Sequence, residues 1–225
     1  GGSVDYRGVE LSGSTITSQA GSVTVEGTGK TEGIYANAGA IEALGATTSA
    51  GAIVRGSAVG TFAIGVSIGG AGSRVRTNAG PLLVEGTGGV GIGAGAVIST
   101  TADNSSATLT VTSLTTGGVG VGGTGAQITS MRGAMNVNGV GGVRVTGGGK
   151  IVGQGAGPDS TVTVVGTNTN TADGVTVTGA NSAITANGGE LKVDGTGRLG
   201  VYINDNAVIT TTAAPLSVKG AGTAT

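Results

Sequence analysis

The stretch 174–197, GVTVTGANSAITANGGELKVDGTG, is too short to bury its own apolar residues, and this sets the problem the chain must solve. It carries three short alternating segments, around Val175–Val177, Ala183–Thr185 and Leu191–Val193, separated by Gly, Asn and Asp. Apolar alternation over so few residues reads as strand, and the turn formers between the segments read as corners. A unit of this kind becomes stable only by stacking on copies of itself.

Such copies run along the whole chain. Val9, Ile34, Val66, Val90, Val119, Val143, Val175 and Val201 each open a first strand, at spacings of 25, 32, 24, 29, 24, 32 and 26 residues. A central apolar residue follows each (Ile16, Ile41, Val75, Ile98, Ile128, Ile151, Ile184, Ile209). A third-strand pair then closes the unit, from Val23/Val25 to Leu216/Val218, with the second unit's pair placed at Ala52/Val54. Residues next to the ladder on the first strand, among them Glu10, Tyr35, Ser67, Arg144, Thr176 and Tyr202, then point outward. Extra residues collect at 44–49, 57–64, 101–106, 153–160 and 167–173, which predicts a two-coil super-repeat with every second coil bulging at its corners. The expected fold is all-β: a single right-handed parallel β-helix of about eight coils, 24–32 residues each, with three short strands per coil and residues 1–225 as one continuous segment. Corner glycines are expected to supply the positive φ of sharp turns.

Composition closes off other classes. Fifty Gly without a Gly-X-Y period excludes collagen, and regularly spaced Val, Ile and Leu with 3 Pro argue against a disordered linker. The net charge is −1 with no basic stripe, and aromatics are 2%, so no nucleic-acid partner is expected. No run of 18 apolar residues predicts a transmembrane segment. There is no Cys and no His, which removes disulfides, thiolate or imidazole metal sites and Ser-His-Asp catalysis. The chain opens without Met on GGSVDYRGVE, which does not read as a signal peptide, and closes on GAGTAT. A piece of a longer rod is expected.

Several motifs carry a chemical reading beside a plainer one. GxGxxG occurs at Gly86/Gly88/Gly91, Gly120/Gly122/Gly125 and Gly195/Gly197/Gly200, but each match leads into an alternating strand where a dinucleotide site needs a helix, so no cofactor is expected. Gly29-Lys30-Thr31 ends like a P-loop, but Thr24 stands where that motif needs its first Gly. The calcium-binding GGxGxDxUx repeat is absent; Asn204, Asp205 and Asn206, and also Asp103-Asn104, are calcium candidates that read equally as turns. Arg74 and Arg76 share a strand, with outward Glu42 one coil earlier, which predicts a surface ion pair worth about 0–1 kcal/mol. Outward third-strand residues Thr24, Leu83, Thr110, Asn136, Thr163, Lys192 and Ser217 are too irregular for an ice-binding face. Asn104-Ser105-Ser106 matches a glycosylation acceptor, and Tyr35 and Tyr202 are outward contact candidates.

The repeats GVTVTGANSAITANGGELKVDGTG and GVYINDNAVITTTAAPLSVKGAG resemble the β-helical shafts of filamentous-haemagglutinin-like and autotransporter-passenger proteins of bacteria. The resemblance implies export by a Gram-negative bacterium, an extracellular or cell-surface location and a non-catalytic structural or adhesive rod. Implied partners are a host-cell or neighbouring-cell surface or glycan. Two alternatives stand beside it: a self-assembling filament subunit, with homotypic stacking end to end or lateral association, and a glycan-processing β-helix enzyme working through paired carboxylates.

Overall fold

The computed structural model describes residues 6–60, 63–169 and 171–223. Residues 61, 62 and 170, which fall in two of the expected bulging corners, and the extreme termini lie outside the described residues. Among the described residues there is no helix. Twenty-four strands form three eight-stranded sheets, and each sheet takes one strand from every coil in chain order. Coil 1 comprises Arg7–Ser12, Thr15–Ser18 and Val23–Gly29; coil 7 comprises Val175–Thr178, Ala183–Ala186 and Leu191–Gly197; coil 8 comprises Val201–Asn204, Val208–Thr211 and Leu216–Gly222. Every pairing is parallel and joins each strand to its counterpart one coil away, so the chain is a β-solenoid of about eight turns.

The register follows the apolar ladders. Val9 pairs with Ile34, Ile34 with Val66, Val66 with Val90, and so on to Val175 with Val201. On the third sheet the row Val25, Val54, Val84, Val111, Val137, Val164, Val193 and Val218 is valine in all eight coils. β-branched side chains suit this place, because their restricted χ1 matches a pleated surface and identical neighbours stack along the rod. Ile34, Val66, Val90, Val119, Val143 and Val175 are buried, whereas Val9 and Val201 in the terminal coils are partly covered. A shift of one residue would turn every ladder outward, so the apolar pattern fixes the register.

Corner glycines supply positive φ as expected, and a further row of glycines does something else. Fourteen described glycines have positive φ, yet none of Gly27, Gly56, Gly86, Gly139, Gly166 and Gly195, the fifth residue of the third strand, is among them. A Cβ at any of these six would overlap the carbonyl oxygen of the glycine that opens the next coil: Gly33, Gly65, Gly89, Gly142, Gly174 and Gly200 respectively. The two rows interlock along one edge of the rod. Here glycine is required for close backbone approach, not for a left-handed turn.

A second row was not anticipated. The last residue of the second strand points inward beside the Ile ladder and is often a hydroxyl: Thr77, Thr100 and Ser130 are buried there. Thr77 Oγ1 donates to Gly80 O at 2.7 Å, and Ser130 Oγ donates to Gly133 O. Thr211 Oγ1 makes the same bond to Ala214 O. These three hydroxyls each close the corner three residues on by donating to its carbonyl, whereas Thr100 Oγ1 donates to Ser130 Oγ in the next coil at 3.2 Å.

Two outcomes follow for stability. Val177 is fully buried, so Val177→Asp places an unpaired charge in the core and should cost at least about 3 kcal/mol, whereas the outward Thr24→Asp should stay within about 0.5 kcal/mol of the parent in urea denaturation. Gly195→Ala should destabilise by about 1–3 kcal/mol through overlap with Gly200 O, while Gly120→Ala, whose Cβ meets no atom within 4 Å, should stabilise by about 0.4–1 kcal/mol.

Candidate functional surface

With the core apolar, chemistry is confined to the outward rows and the corners. The in-register stack brings outward charges from different coils together. On the third sheet Glu26, Arg55 and Glu85 are consecutive, with Arg55 Nη1 3.2 Å from Glu26 Oε1 and Arg55 Nε 3.4 Å from Glu85 Oε1. At the first coils Arg7 Nε lies 2.6 Å from Glu32 Oε2 and Arg7 Nη1 3.0 Å from Glu10 Oε1, and the guanidinium sits 3.8 Å over the Tyr35 ring. Tyr35 is therefore already engaged. Tyr202, six coils away, accepts from Asn204 Nδ2 at 3.0 Å.

Glu42 departs from the expected surface pair. It pairs in register with Arg76 and receives Arg74 Nε at 2.7 Å on Oε1, and Arg76 Nε lies 2.7 Å from the same oxygen. Arg74 Nη2 reaches Oε2 at 3.4 Å. Glu42 is only 4% exposed, because the two arginine stems and the stacked coils on either side cover it. The Arg74 hydrogen bond holds the Glu42 carboxyl below the usual carboxylate range; burial opposes this, and attraction to Arg76 and Arg74 reinforces it. A carboxylate held ionised in this way binds two coils together and is a poor proton donor.

The remaining sequence candidates fall into turns. Asp205 and Asn206 both have positive φ, and Ala207 N donates to Asn204 O at 3.2 Å, which makes 204–207 a tight turn of type I′ geometry. Asn104 Oδ1 accepts from Ala107 N at 2.8 Å, and Asp103 meets Arg132 at 3.5 Å. Among the described residues no three His, Cys, Asp or Glu side chains gather as a metal site. All three GxGxxG matches lie on strands and corners, with no helix to receive a pyrophosphate.

The corners between third and first strands alternate between short and long. Coils 3 and 5 close with Gly86-Thr87-Gly88-Gly89 and Gly139-Val140-Gly141-Gly142, two GxGG corners of matching conformation: Gly88 and Gly89 have φ of 101° and 119°, Gly141 and Gly142 of 122° and 95°. Coils 2, 4 and 6 close with longer corners, whose described residues line the space on either side of the compact ones. The result is a row of open troughs. One, of about 470 Å³, lies over Gly88 between Ala58–Gly60 and Thr115–Gly117. The next, of about 390 Å³, lies over Gly141 and Gly142 between Thr116–Gly117 and Thr171–Asp173. Each short corner is tied to the ridge that follows it: Gly88 N donates to Thr115 Oγ1 at 2.7 Å, and Asn168 Nδ2 donates to Gly141 O at 3.0 Å.

Arg144 lines the second trough and a shallower groove of about 350 Å³ that continues it over Gly120, Gly91 and Gly69. Arg7, Arg55, Arg74, Arg76, Arg132 and Arg198 all form ion pairs; Arg144 forms none with a described residue. Asp173 in the trough wall is neutralised by Arg198 at 3.1 Å and accepts from Leu199 N. Sequence reading placed Arg144 outward and flagged the long corners. The recurring GxGGV at Gly86–Val90 and Gly139–Val143 was the overlooked signal that pairs the two troughs.

No family model, no curated protein and no solved structure matches the chain.

The Glu42 cluster sets an acid dependence. Its pKa is lower in the fold than in the unfolded chain, where a glutamate titrates at about 4.3. The stability it contributes is therefore complete above that value and is lost as pH falls through the folded pKa. In urea denaturation, Glu42→Gln should be less stable than the parent at pH 7, and the gap should narrow steadily between pH 5 and pH 2.5. A constant gap would show that the ion pairs contribute nothing.

Proposed function

We propose that this chain is a non-catalytic structural segment of an extracellular filamentous protein, a rod that holds binding surfaces at a distance from the cell that exports it. The observation that carries this reading is the uninterrupted ladder: eight coils in one register around an apolar core, in which the buried hydroxyls of Thr77, Thr100 and Ser130 make corner and coil-to-coil hydrogen bonds. The charged groups support it, since the described carboxylates that meet basic residues do so mainly between coils, as Glu26–Arg55–Glu85 and Glu42–Arg74–Arg76. The extracellular setting and the adhesive role follow from the resemblance of the repeats to bacterial surface shafts.

The mechanism is mechanical. Load along the axis is shared by three ladders of backbone hydrogen bonds, and a local break exposes only one coil boundary. Eight coils at a strand spacing of about 4.8 Å give an axial length of about 40 Å. Small-angle scattering should return that length, and limited proteolysis should cut only at the long corners 44–51, 57–64, 101–107, 114–118, 153–160 and 167–173, leaving strands intact. Cleavage throughout the strands, or release of reducing ends from a panel of neutral and uronic-acid polysaccharides, would overturn the reading.

A further inference from the structure

The two troughs repeat with the architecture. Their floors are the GxGG corners of coils 3 and 5, so they lie two coils apart, about 9.5 Å along the rod. The ridge is shared at Thr116–Gly117: it is the far wall of one trough and the near wall of the next. A ligand lying along this edge therefore meets an open trough over a GxGG corner twice at a fixed interval. This suits a polymer with a repeat of that length, and the disaccharide repeat of an extended β-1,4-linked glycan matches it.

The chemistry of the lining narrows the class. Thr87, Thr115 and Thr116 in the first trough, and Thr171 and Thr176 in the second, offer hydroxyls. Gly88 and Gly141 contribute backbone and no side chain of their own to the floors. Such floors give no pockets for the varied side chains of a peptide, whereas sugar rings present one face over and over. Arg144 adds a guanidinium with no carboxylate of its own at the mouth of the second trough, and Asp173 opposite is already neutralised. A guanidinium recognises a carboxylate by two parallel hydrogen bonds.

We infer that this edge of the rod binds an extended β-1,4-linked polysaccharide carrying carboxylates, with successive disaccharides in successive troughs and a uronic-acid carboxylate on Arg144. The inference rests on the reading of the chain as a non-catalytic rod and gives that rod a ligand class. The glycan is held, not cleaved. Long corners form the walls, and compact coils set the spacing.

Calorimetric titration with β-1,4-linked mannuronate oligomers tests this. The hexamer spans both troughs and should bind at least tenfold more tightly than the dimer, because the second site is engaged intramolecularly. Arg144→Ala should weaken the hexamer at least tenfold. Gly120→Val, whose Cβ meets no atom within 4 Å, should weaken it without lowering the melting temperature. Cellohexaose, with the same linkage and no carboxylate, should bind the parent about as weakly as the mannuronate hexamer binds Arg144→Ala. The inference is overturned if the dimer binds as well as the hexamer, if both variants bind like the parent, if no oligomer binds at millimolar concentration, or if polyglutamate binds as tightly as mannuronate, which would mark a general anion or peptide site. Chain-length analysis of the sugar after incubation separates the two readings: absent binding with an intact rod overturns only this inference, whereas shortened sugar overturns the non-catalytic rod itself.

Discussion

Parallel pairing between successive coils is the interaction on which everything else depends. In a hairpin or a helix a segment satisfies its backbone locally, but here each strand finds its hydrogen-bond partners only in the coil before and the coil after. The contact separations of 25–34 residues at ion pairs and corner hydrogen bonds show the same dependence. A single coil cannot repay the cost of ordering its backbone, so the folded state belongs to the array. The terminal described coils show what happens at its limits. Val218, Leu216 and Ile203 in coil 8 are 43–45% exposed, whereas their counterparts Val193, Leu191 and Val177 in coil 7 are fully buried.

That dependence explains a part of the glycine content that turn chemistry does not. Stacking at strand spacing forces the edge between third and first strands to carry backbone against backbone, and Gly56 against Gly65 leaves no room for a Cβ. The one break in the row is Ser113, in coil 4. Its Oγ donates to Thr115 O at 2.9 Å, and the corner that follows is one of the long ones. The corners after Gly56 and Gly166 are long as well, although the seam closes tightly at both, so corner length is set independently of the seam.

Much of this was legible in the residues alone, for a definable reason. Period-2 alternation and a near-constant repeat make the inward rows readable, and the row from Val9 to Val201 pairs in the register its spacing predicted. The same alternation brought Glu42 beside Arg76. What it could not convey was depth. Glu42 reads as outward and is outward, yet two arginine stems from the next coil cover it, and lateral cover between coils leaves no trace in one strand's pattern. Thr77 and Ser130 were missed for the opposite reason: they point inward, where a hydrophobic template passes over hydroxyls whose partners lie three residues on. The seam glycines were legible as a pattern but not in their role, because a left-handed turn and a close backbone contact leave the same letter in the sequence.

The alternation of long and short corners asks for a cause beyond stability. Lengthening a surface loop costs little, so long corners are easily tolerated, but tolerance alone would scatter them. Here they recur at coils 2, 4 and 6, and the compact corners between them share GxGG with both central glycines in the left-handed region. A rod needed only for stiffness gains nothing from this rhythm, since the apolar ladders run unbroken through bulging and compact coils alike. The rhythm does determine the outer shape, by setting concave surfaces at a fixed interval along one edge. Nearly every arginine is drawn into pairs that tie coils together, and the exception, Arg144, stands at that edge. The interior specifies how the rod is built; the spacing of its corners, with one arginine left outside the ion pairs, specifies what can lie along it.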